Sequence, residues 1–94
     1  MIGRRLTPLT YKEVTRALFK LGFSMSPKTA TAHEKWILQT KSTRYVVTVD
    51  KHISPFDIRL IKSMAAQAGM STKMFHAICK EIMSPNANPV IDQE

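Results

Sequence analysis

The chain has 94 residues, 44% of them apolar and only 7% aromatic, which is enough for one domain with a single core and too little for two. Fourteen Lys and Arg against seven Asp and Glu give a formal charge of +7, and all fourteen cations precede Ser84 with only five of the acids, so the body up to Met83 carries +9. Such a field draws polyanions, nucleic acid first among them, although an acidic protein partner would profit from it too, while no apolar run approaches the roughly 18–20 residues of a membrane span.

Met1-Ile2-Gly3-Arg4-Arg5 is charged but has no apolar stretch behind it, so it is not read as a signal peptide. The first helix follows Thr10, whose hydroxyl and the carboxylate of Glu13 form a capping box. Val14, Ala17, Leu18 and Leu21 recur at the spacing of one buried helical face, and Gly22 closes the helix. Lys12, Arg16 and Lys20 share another face, which reads either as a solvated stripe or as a phosphate-binding one.

A short strand is possible at Phe23-Ser24-Met25, and Pro27 with the small residues after it suggests a loop or an edge strand. Two clearer strands follow, His33 to Gln39 and Arg44 to Val49, the second with Tyr45, Val47 and Val49 on one face. Thr40-Lys41-Ser42-Thr43 is short enough to join them as a hairpin. Trp36 reads as a core residue or as a platform for a base, the core being favoured because it lies opposite the face of His33.

A second helix is expected from Ser54-Pro55, with serine as cap and Asp57 completing a capping-box-like pattern. Its buried stripe would be Ile58, Ile61, Ala65 and Ala68, and Gly69 would stop it. A third, shorter helix begins near Ser71, with Phe75, Ile78, Cys79 and Ile82 as its apolar face and Ser84-Pro85 as its end. His76 is placed on its exposed side. Cys79 is the lone cysteine; it excludes an internal disulfide, reads as a small core residue, and makes a reducing cytoplasm the default location. The six methionines read as core filler, with Met64, Met70 and Met74 alternatively marking an adaptable partner surface. Residues 1–83 are thus read as one domain and 84–94 as a mobile tail. The order predicts an α+β sandwich, an antiparallel sheet with its helices on one face.

There is no glycine-rich phosphate loop, HExxH, CxxC or nucleophile elbow, so no metal or cofactor is expected. Three histidines are the groups able to move protons near neutral pH. His33 enters a strand with Lys35 on the same face, and Lys28 stands in the loop before it. An imidazole taking a ribose 2′-hydroxyl proton, with cations stabilising the charge on phosphorus, could cleave RNA. Against that stands the ordinary role of a lone strand histidine, which is structural.

The segments Leu9-Thr10-Tyr11-Lys12-Glu13-Val14 to Leu21-Gly22-Phe23, His33-Glu34-Lys35-Trp36, Arg44 to Val49, and Ile58 to Gln67-Ala68-Gly69-Met70-Ser71 together resemble the HicA toxin family. The resemblance covers Leu9 to about Ile78 and lies in the order and spacing of these segments. It implies a double-stranded-RNA-binding-domain-like α-β-β-β-α fold, here with a short extra C-terminal helix. It further implies metal-independent mRNA cleavage with His33 as catalytic histidine, silenced by a HicB-type antitoxin protein. Lys12, Arg16, Lys28, Thr31 and Lys35 are the expected RNA contacts. The family places Gly-Ser directly before the histidine; this chain has Thr31-Ala32, with a hydroxyl one residue earlier.

Two alternatives use the same elements. Ala65 to Ser71 resembles the turn of a helix-turn-helix, whose second helix would carry Lys73, His76 and Lys80 toward DNA. Alternatively, the RNA-binding fold persists without the chemistry.

Overall fold

The computed structural model describes residues 6–26 and 33–81. They form α1 (Tyr11–Lys20), β1 (Ser24–Met25), β2 (His33–Gln39), β3 (Arg44–Asp50), a 3-10 turn (Lys51–Ile53), α2 (Ile58–Gln67) and α3 (Thr72–Cys79). The sheet is antiparallel in the order β1-β2-β3. This is the expected small α+β domain.

The local signals explain most of the boundaries. Glu13 N–H donates to Thr10 Oγ1 while Thr10 N–H donates to Glu13 Oε1, closing the capping box of α1. Gly22 leaves that helix at a φ of +102°, in the left-handed region glycine enters without a Cβ clash. Ser71 caps α3 through Met74 N–H.

Side chains of β2 and β3 alternate between the two sheet faces, with burial alternating most clearly over His33–Trp36 and Val47–Asp50. Glu34, Trp36, Val47 and Val49 are buried on the inner face, and all but Glu34 belong to the core that also contains Val14 and Leu18 of α1, Ile61, Met64 and Ala65 of α2, and Phe75 and Ile78 of α3. His33, Lys35, Ile37 and Gln39 lie on the other face, opposite Asp50, Thr48, Val46 and Arg44. The helices pack against the inner face, as anticipated, and His33 belongs to the outer one.

Three expectations are corrected. The second helix starts at Ile58 with Asp57 as its cap. Phe56 is held extended by paired backbone bonds with Leu9, and the hydroxyl of Ser54 accepts from Tyr11 N–H. Ile58 is therefore first-turn surface, not core. His76 is buried rather than exposed, its Nε2 donating to the Thr7 carbonyl at 2.8 Å. α3 ends at Cys79, ahead of Ser84-Pro85, with Glu81 in the left-handed region. Ile82 and the tail 84–94 lie outside the described residues.

Candidate active site

The hairpin determines what faces His33. Thr40 N–H donates to the Thr43 carbonyl, and the register carried back from this turn sets His33 opposite Asp50 and Lys35 opposite Thr48. The Lys35 carbonyl accepts from Ser26 on the β1 side, and Thr48 N–H points away to Gln67. Lys35 and Thr48 thus exchange no backbone bonds with each other, and pairs of that kind bring their side chains closest. His33 and Asp50, two residues along each strand, share this geometry.

His33 Nε2 lies 3.2 Å from Asp50 Oδ2, with the imidazole 60% exposed and the carboxylate 20%. The other oxygen of Asp50 accepts from His52 N–H at 3.0 Å as the cap of the 3-10 turn. A carboxylate held at both oxygens orients the ring. One rung further, Lys35 Nζ donates to Thr48 Oγ1 at 3.4 Å. Two residues on one strand face are roughly 7 Å apart, within the reach of one phosphodiester and its ribose.

Between this rung and α2 runs a cleft of about 230 Å³. Its floor is the buried Phe56 and Met64, Ile53 and Leu60 form its walls, and Ser63 and Gln67 stand across from His33 and Asp50.

The remaining candidates are dispersed. Lys12 is exposed on α1, and Arg16 lies 2.8 Å from Glu81, which also takes Lys20 at 3.3 Å. Both belong to the helix layer, across the sheet from His33, and are not brought to it. Lys28 and Thr31 lie outside the described residues, as does Ala32. Trp36 is core, its indole N–H donating to the buried Glu34. Cys79 is buried, and burial followed by the charge of Glu13 pushes its thiol up to about 12, so it stays neutral. Met64 is core, and Met70 and Met74 pack against it. Of the residues a helix-turn-helix would present, His76 is buried and Lys80 is paired with Glu13 at 3.0 Å, leaving Lys73 exposed.

Asp50, Gln67 and Glu34 were not singled out from sequence. Asp50 was accessible: extending the hairpin from Thr40–Thr43 by one residue past Val49 puts it opposite His33. Gln67 and Glu34 depend on packing between distant elements, for which the sequence carries no signal.

Among the described residues, no helix is long and apolar enough to cross a membrane, and no three His, Cys, Asp or Glu side chains converge as metal ligands would. Comparison with family models, with curated proteins and with solved structures finds no match for the chain.

Proposed function

We propose that this chain is a HicA-like toxin, a ribonuclease that cleaves mRNA on a double-stranded-RNA-binding-domain-like scaffold and is silenced by a HicB-type antitoxin. The observation that carries the reading is the His33–Asp50 pair, exposed on the outer sheet face of a basic molecule with Lys35 one rung away. The helix-strand-strand-strand-helix order is compatible with such a scaffold.

The chemistry needs no group beyond these. The imidazole takes the proton of a ribose 2′-hydroxyl, and the 2′-oxygen attacks the adjacent phosphorus. The bond to the 5′-oxygen breaks, leaving a 2′,3′-cyclic phosphate and a 5′-hydroxyl whose proton comes from solvent. Asp50 stabilises the imidazolium that forms, and the Lys35 ammonium offsets charge on the phosphoryl oxygens.

General acid–base catalysis contributes about 10²–10⁴-fold, so His33→Ala should lower cleavage of a long mRNA by at least about 10²-fold and abolish growth arrest. Its melting temperature should stay near the parent's, because the ring is mostly exposed. Equal cleavage by variant and parent rejects His33 as the catalytic group. RNA binding without cleavage by the parent would favour the non-catalytic alternative. The DNA-reading alternative has little support, since His76 and Lys80 are occupied within the fold.

A further inference from the structure

We infer that the cleft between β3 and α2 is a nucleobase subsite, which takes the base of the nucleotide whose 2′-hydroxyl faces His33 and makes cleavage depend on that base. The inference rests on the ribonuclease reading for its substrate and on the cleft itself for its chemistry. His33 and Asp50 line the cleft together with residues of α2, so a ribose at the imidazole sits beside its opening. The volume of about 230 Å³ is below the roughly 300–1,000 Å³ of drug-sized ligand sites and suits one ring system. Phe56, Met64 and Leu60 offer the apolar contact that a splayed base needs, and single-stranded RNA is commonly read in this way.

The polar end of the cleft has a defined direction. The Oε1 of Gln67 accepts from Thr48 N–H at 3.0 Å, an amide on the edge strand β3 that no described strand pairs. That bond determines which end of the carboxamide is which and leaves the –NH2 for another partner. A side chain anchored in this way presents a donor, and a base is recognised through an acceptor on its edge, a carbonyl or a ring nitrogen. Ser63, one helical turn earlier on α2, adds a hydroxyl to the same wall.

Gln67→Glu isolates this role. The carboxylate keeps an oxygen for Thr48 N–H, so the edge stays anchored, but the donor becomes an acceptor. Two measurements on the full chain decide the matter. The four nucleoside 3′-monophosphates and ribose 5-phosphate are titrated into the ¹⁵N-labelled His33→Ala variant and followed by amide shifts. Cut sites in a random-sequence RNA are then mapped for parent and Gln67→Glu. The expected result is that nucleotides shift the amides of Ser63 and Gln67 while ribose 5-phosphate does not. The base preference beside the cut should also change by at least about fivefold in Gln67→Glu, the factor corresponding to one hydrogen bond of about 1 kcal/mol. Cleavage by the parent with an unchanged base distribution in Gln67→Glu, and with no nucleotide shifts at Ser63 and Gln67, overturns the subsite and leaves the ribonuclease standing. Nucleotide shifts at those amides with no cleavage by the parent support the base cleft and remove the ribonuclease.

Discussion

Tyr11 shows how one residue can link two layers of this fold. Its hydroxyl donates to the buried carboxylate of Glu34 at 2.7–2.8 Å, and that carboxylate also takes Trp36 Nε1 at 3.0 Å and lies 3.9 Å from Lys51 Nζ. Burial first, then the hydrogen bond to Glu34 and its charge, push the Tyr11 hydroxyl up to about 12 from an ordinary value of 10.0. The folded state thus favours neutral tyrosine. The stability this gives is fully present below pH 10 and is lost as the pH rises through about 12. Tyr11→Phe removes a bond to a charged acceptor and should cost about 1–2 kcal/mol at neutral pH. Urea denaturation should show that gap closing between pH 10 and about 12; a gap that is constant with pH would assign the cost to packing instead. Little of this is legible beforehand. Alternation along β2 puts Glu34 on the face of Trp36, but a charged residue there looks like an exception until its partner, twenty-three positions earlier, is known. His33 was legible because its outward position follows from alternation alone, and Asp50 would have followed from the hairpin register.

Elements whose ends are set by local chemistry were readable, and those set by contacts between distant segments were not. The start of α1 and the span of β2 follow from neighbouring residues. The start of α2 does not: Ser54 and Asp57 are both competent caps, and the choice is made by Phe56 pairing with Leu9, a contact across the chain. The stop of α3 is similar, because Glu81 takes a left-handed conformation usually given to glycine, and its carboxylate is held by Arg16 and Lys20 of α1. The junction between α2 and α3 depends on both kinds of signal. Gly69 was recognisable as a helix stop, and its φ is +79°. Its close approach to β3 was not: a Cβ there would come within 2.6 Å of the Tyr45 ring. Gly69→Ala therefore adds a steric cost to the conformational one and should destabilise by about 1–3 kcal/mol. Thermal unfolding checks this, and a variant as stable as the parent would mean that Tyr45 moves aside freely. Since Gln67 precedes the same turn and is bonded to Thr48, the variant should also loosen the cleft wall.

At the scale of the molecule the sequence gives the sign of the charge but not its placement. The cations among the described residues fall on both sides of the sheet. Lys35 and Arg44 are exposed on the outer face with His33, whereas Lys12 and Arg16 lie on α1 in the helix layer, Arg16 already paired with Glu81. If RNA is cut at His33, its backbone must cross the outer face. Each phosphate neutralised there releases counterions and contributes about 0.7 to the slope of log affinity against log salt for a single strand. In the His33→Ala background, which binds without cutting, Lys35→Gln with Arg44→Gln should therefore lower that slope by about 1.4. Lys12→Gln with Arg16→Gln should lower it by clearly less, because the Arg16–Glu81 pair leaves little net charge to give up. Fluorescence anisotropy of a labelled single-stranded RNA over a salt series measures both. Equal losses from the two pairs would mean that the strand wraps onto the helix layer, the phosphate-binding alternative for the Lys12–Arg16 stripe. A slope unaffected by the outer-face pair would remove RNA from the His33 face altogether.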